Sequence, residues 1–276
     1  MGTSQRHKAS VLNQPNWGKT SNDVTAIVKT IIAAQDFASN PPGNWTVKQI
    51  AKKQNQYEKR ISSCTRKSVR NIVKAAGGRK KVASGNSKAI GHFGVGIGLS
   101  WASTMAELNK VGIEAWLESK GIENFADKSC HDIINIIKSL IEEDVIGLDA
   151  TAAGDALQHV MELVEAMIGD DLDNFDSTIN KIMSTEQCSI MLCEFFGYYI
   201  YSHFSQDFSE KIEKKYGTDN KDATLSEIRD KIIADAKNGY KSKSVLNIDW
   251  NGPEGDNFIK EEFDSILYII GCDDED

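Results

Sequence analysis

Gly2 is the residue whose type and position best suit it to chemistry. A glycine after the initiator predicts removal of Met1, which leaves an unhindered α-amine. Such an amine has a reference pKa of about 7.7–8.0, so an appreciable fraction is an unprotonated nucleophile near neutrality. Gly2 has no side chain to crowd an approach. The start Met1-Gly2-Thr3-Ser4 therefore suits a substrate of another enzyme. The plainer alternative is that Gly2 is only the second residue translated. Arg6 stands where N-myristoylation wants Ser or Thr, and no apolar core of a secretory signal follows.

The other candidate sites are weaker. Gly91, Gly94, Gly96 and Gly98 resemble a phosphate loop only in glycine content, because Leu99 and Ser100 stand where a Walker loop has Lys and Ser/Thr. At helical spacing Gly94, Gly98, Ala102 and Ala106 form one stripe, a surface that lets another helix approach closely. Cys130-His131 and Cys188/Cys193 have poor spacing for zinc. His159 shares a face with Asp155 and Glu162, which predicts an ion-pair stripe. His203 lies within the aromatic run Phe195–Phe204 and reads as a core or interface residue. No serine-hydrolase elbow is present. These observations predict no enzyme activity, no metal and no cofactor.

Residues 1–90 carry 17 Lys/Arg and 3 Asp/Glu, a net of +14; the remainder is −22, for −8 overall. Such a split implies polarised surfaces. The basic half would meet nucleic acid, an acidic protein or the chain's own acidic body. Arg66, Lys67, Arg70 and Lys74 share one helix face and form the candidate docking surface. Five cysteines, odd in number and without CxxC pairs, predict reduced thiols and a cytoplasmic protein. Residues 90–108 are long enough to span a membrane but include His92 and Glu107 and too few large aliphatics, so a packed helix is expected.

Helical periodicity and only 4 prolines predict an all-α, multi-helix bundle. Three segments follow: a flexible, polar N-terminal arm over 1–20, a basic helical region over 21–83 and an acidic helical body over 84–276. Ser21-Asn22-Asp23 is the expected cap of the first helix, Thr46 of a second running to Tyr57, and Ser62 or Ser63 of a third ending at Gly77. Ser129/Asp132 and Thr224/Glu227 have capping-box spacing, and Gly169, Gly217 and Gly239 suit helix stops. The aromatic run places large apolar groups on every face of its helix, so that helix is expected to be buried on most sides. Residues 244–250 are the one stretch expected to be extended.

The start Met1–Ser4, the pair Gly77-Gly78, the run from Ser84 to Gly94 and the stretch from Leu148 to Leu157 together resemble the QatB family of the bacterial Qat anti-phage system. The resemblance implies a partner, QatC, which is similar to QueC enzymes that activate 7-carboxy-7-deazaguanine with ATP and then add ammonia. It also implies an ATPase, QatA, and a TatD-like nuclease, QatD, alongside. Gly2 would then be the amine joined to the deazapurine, with Thr3 and Ser4 recognised beside it. The competing expectation is a helical nucleic-acid-binding protein using residues 48–88, with strongly salt-dependent affinity; Tyr57 alone there suits base stacking, and the acidic body opposes DNA, so nucleic acid is the less expected partner. A structural scaffold is the third.

Overall fold

Glycine and proline mark where the chain turns, and helix fills almost everything between. The computed structural model describes residues 17–122, 128–142, 147–184, 186–239, 245 and 248–272. The helices are α1 (Trp17–Ser39), α2 (Val47–Ala75), α3 (Arg79–Ala83), α4 (His92–Val111), α5 (Ile113–Ser119) and α6 (Cys130–Ile141). They continue as α7 (Leu148–Ile168), α8 (Phe175–Ser184), α9 (Gln187–Tyr216), α10 (Thr218–Gly239) and α11 (Pro253–Ile269), with a 3-10 turn at Leu172–Asn174. No strand occurs among the described residues, so the protein is all-α. Residues 244–250 fall partly outside the described set, and those inside it form no strand.

α9 is the central helix. Its aromatic run is buried on nearly every side, as the sequence predicts: Phe195, Phe196, Tyr199 and Phe204 are all in the core. α7, α8, α10, α11 and α4 pack around it. α10 folds back on α9 through Gly217, whose positive φ of 83° permits the reversal. One continuous apolar cluster runs from Val24 to Cys272.

The glycine stripe of α4 is the contact face that its spacing predicts. A Cβ on Gly94 would lie 2.6 Å from the Tyr199 ring, and one on Gly98 would lie 3.2 Å from Phe196 and 3.3 Å from Phe195. Small residues on α4 thus receive the rings of α9, and the phosphate-loop alternative has no support in this geometry. Gly96, on another face, has open space beside it.

Several boundaries differ from the expectation. α1 starts by Trp17, ahead of the Ser21-Asn22-Asp23 cap, and Thr20 is buried together with Val24 and Ile27. Burial of that face carries the helix back beyond a local start signal. The expected second and third helices are one, α2, opened by the Thr46/Gln49 capping box. Ser62 does not break it, because its hydroxyl donates back to the Glu58 carbonyl at 2.9 Å. Thr224 is buried inside α10 and caps nothing. Ser129/Asp132 does form its capping box, and Gly169 and Gly217 are C-caps.

Candidate docking surface

α1 and α2 form an antiparallel hairpin whose base is packed and whose far end is not. No described residue between Ile31 and Ile61 is buried. Phe37, Trp45 and Tyr57 hold the far end together by ring contacts of 4.8 and 5.9 Å, with Lys53 over the Tyr57 ring. Lys48, Lys52, Lys59 and Arg60 stand exposed along the outer part of α2.

Towards the base, the basic face meets the acidic body. Arg66 Nε donates to Asp235 Oδ2 of α10 at 2.9 Å. Arg70 Nε donates to the Gly271 carbonyl at 2.7 Å, just past α11. Arg79 Nη1 donates to Asp264 Oδ2 of α11 at 2.8 Å. Part of the charge split is therefore satisfied within the molecule, which was one of the three destinations left open by the sequence. Lys67 and Lys74 are exposed. Arg66, Lys67 and Arg70 do come together: with Lys59 and, across from α10, Lys231, they line an open groove of ≈ 560 Å³. Glu58 also lines it, and Asp23 of α1 lies within electrostatic reach of Lys67. The groove thus carries five cations and one carboxylate on its walls. Gly2, Thr3 and Ser4 lie outside the described residues.

A second polar cluster has no precursor in the site residues read from the sequence. Asp149, in the first turn of α7, is 4 % exposed. Its carboxylate accepts from the backbone N–H of Gly91 at 3.2 Å and of Phe93 at 3.0 Å, from His203 Nε2 at 3.0 Å and from the Tyr199 hydroxyl. The Tyr199 oxygen also accepts from Gly91 N at 2.5 Å. Gly91 is the N-cap of α4 and has no side chain to cap it, so Asp149 supplies the missing acceptor from another helix. One carboxylate thereby serves the positive ends of two helices, α4 and its own α7. Burial pushes its pKa up, but the hydrogen bonds from His203, Tyr199 and Phe93 outweigh burial and hold it below the usual carboxylate value. Burial beside that charge drives the Tyr199 phenol well above its ordinary value.

Glu194, in the N-terminal third of α9, plays a similar part. It accepts from His159 Nε2 at 3.1 Å and Lys237 Nζ at 2.7 Å, which ties α7 and α10 to α9. The expected stripe of His159 with Asp155 and Glu162 is not what forms: His159 turns to Glu194 and stacks on Tyr198, while Asp155 accepts from Ser202. Of the two expectations for His203, core or interface, its burial at 4 % exposure places it in the core. The four protein donors on Asp149 give it a positioning role in the packing of helices.

Among the described residues no cluster of His, Cys, Asp and Glu could hold a metal ion, and no helix is long and apolar enough to cross a membrane. The runs Ser84–Gly94 and Leu148–Leu157, which carry the family resemblance, meet in space at Gly91, Phe93 and Asp149. No curated protein and no solved structure is significantly similar to the chain. The family model described as Qat anti-phage system associated protein QatB matches residues 77–270, from the end of α2 to the end of α11. The chain belongs to the QatB family and is a component of the Qat anti-phage system.

Proposed function

We propose that the protein is a non-catalytic defence component that presents its Gly2 α-amine to a QueC-like partner, QatC, for conjugation to a 7-deazaguanine derivative. The observation that carries this reading is a Met1-Gly2-Thr3-Ser4 start on a chain of the QatB family. In the proposed step the partner activates the deazapurine carboxylate with ATP. The Gly2 nitrogen then attacks that carbon, an amide forms, the activating group leaves and the amine gives up a proton. Thr3 and Ser4 hydrogen-bond within the partner's channel. QatA and QatD act in the same cytoplasmic assembly.

The position of the groove supports the reading. Asp23, near the root of α1, faces Lys67, so a partner gripping Arg66, Lys67, Arg70 and Lys74 on α2 holds the start of the chain within reach. The 15 Cα-to-Cα steps from Gly2 to Trp17 span up to roughly 50 Å when extended. Co-expression with the QueC-like partner followed by intact-mass measurement tests the proposal. A mass increment on the Gly2 peptide is expected, and an unmodified mature N-terminus refutes it.

A second reading rests on the projecting hairpin. Lys48, Lys52, Lys53, Lys59 and Arg60 lie on a part of α2 that stands clear of the acidic core, which weakens the objection that the body repels nucleic acid. Gel shifts at low and physiological salt separate the two readings. Retention that persists at physiological salt favours nucleic acid, and its loss favours a protein partner.

A further inference from the structure

The outer half of α2 turns a row of cations to solvent. Lys48, Lys52, Asn55, Lys59 and Arg66 recur at intervals of three, four or seven residues, which places them on one face of the helix. Lys48, Lys52, Asn55, Gln56 and Lys59 are all exposed. An open hollow of ≈ 500 Å³ lies between Lys52 and Lys59, lined also by Ala51, Asn55 and Gln56. It shares Asn55 and Lys59 with the larger groove, so one trough follows α2 from Ala51 towards Arg66. Lys48, Lys52 and Lys59 have no ion-pair partner among the described residues, and Glu58 is the only acidic residue in α2. Lys53 and Arg60 lie on the adjoining face, about 100° round the helix. There Lys53 covers the Tyr57 ring, which packs on Phe37 of α1.

We propose that this face of α2 binds duplex DNA, with Lys48, Lys52 and Lys59 on phosphates and the Asn55 and Gln56 amides at the edge of a groove between them. The proposal rests on the second reading above and deepens it to one face and one ligand. Three observations choose the occupant. From Lys48 to Lys59 the row is about 16 Å long, and Ala51 is the one apolar residue lining its hollow. A protein partner needs an apolar or aromatic anchor at the centre of its interface, and this face offers none. A single strand needs rings on which bases stack, and Tyr57 and Trp45 are both engaged with Phe37 instead. Duplex DNA needs neither, because its backbone is held by charge and polar contacts. Side-chain amides reach base edges in the open major groove of B-form DNA but not in the narrow one of an RNA duplex. The row also lies on the part of the hairpin where no described residue is buried, clear of the acidic body.

Fluorescence anisotropy of the full chain with a short labelled DNA duplex, titrated from about 50 to about 150 mM salt, tests the proposal. Three phosphate contacts predict a slope of about −2.7 in log affinity against log salt, a roughly 20-fold loss over that range, with binding still saturable at its upper end. Lys48→Ala, Lys52→Ala and Lys59→Ala should each bring the slope about 0.9 closer to zero. Asn55→Ala with Gln56→Ala should weaken binding at every salt concentration and leave the slope unchanged, because no charge is removed. Lys53→Ala with Arg60→Ala should also leave the slope unchanged. A slope that responds to Lys53 and Arg60 instead, or tighter binding of the matching single strand or RNA duplex, overturns the proposal while nucleic-acid binding itself survives. Failure to bind any of the three nucleic acids overturns both the proposal and the reading beneath it. Every substituted side chain lies outside the core, so melting temperatures should stay within a few degrees of the parent. None of these readouts depends on modification of Gly2.

Discussion

Asp149 concentrates more structural consequence in one side chain than any other residue described here. It receives four donors in a buried setting, and removing it strands the Phe93 amide, the Tyr199 hydroxyl proton and His203. Asp149→Ala should therefore lower stability by roughly 3 kcal/mol, on the scale of breaking a buried charged network, as read by urea unfolding. Its folded pKa lies below the unfolded value of 3.8. Its contribution is then complete above about pH 4 and is lost as pH falls through the folded pKa. Asp149→Asn should flatten the acid limb of a stability-versus-pH curve below pH 4 and leave its shape near neutrality unchanged. Cys188 and Cys193 make a complementary case. Burial, with Glu262 nearby, pushes both thiols up to about 12. Neither should react with an aromatic disulfide reagent at pH 8 until the protein is unfolded, and fast labelling in the native state would contradict this burial. The role of Asp149 was not legible in the sequence, because nothing local links residue 149 to residues 91 and 93.

At the scale of elements, α4 and α9 explain each other. α4 is glycine-rich where α9 is aromatic, and Phe195, Phe196 and Tyr199 fill the space that absent side chains leave. Gly94→Ala places a methyl group 2.6 Å from the Tyr199 ring and also disturbs the partner of Asp149, so a loss of roughly 2–3 kcal/mol is expected. Gly98→Leu should be worse than Leu99→Ala, because the former forces the two helices apart. Gly96→Ala meets open space in a helix interior and should raise stability by roughly 0.5–1 kcal/mol. Thermal melts of the four variants check the order; a destabilising Gly96→Ala would refute the face assignment. The stripe could be read from spacing alone, since 3.6 residues per turn put Gly94, Gly98 and Ala102 on one side. Helix ends were less legible. Thr224/Glu227 matches a capping box by type, but α10 already begins at Thr218 and Thr224 is buried inside it, where its backbone N–H and those after it have helical partners and need no cap.

For the whole molecule, the charge split acts both inside and outside. Arg66, Arg70 and Arg79 anchor the basic hairpin base to α10 and α11, while Lys59 and Lys67 remain exposed on the groove. Lys59→Glu with Lys67→Glu should weaken assembly with the QueC-like partner in a salt-sensitive manner while leaving the melting temperature within a few degrees. Arg66→Glu should also destabilise the fold, because it sets two carboxylates against each other at Asp235. Deleting residues 2–16 should abolish modification with little change in melting temperature; a cut through Thr20 should not be tolerated, because Thr20 is buried. By itself the sequence determined the all-helical class, the glycine stripe, the buried aromatic helix and the family, because periodicity, composition and short motifs are local. Only the tertiary structure decided that Asp149 caps a helix 58 residues away, that α2 is one uninterrupted helix and that arginines 66, 70 and 79 spend their charge internally. Those outcomes depend on which distant donor meets which acceptor once water is excluded, and spacing along the chain carries no record of that meeting.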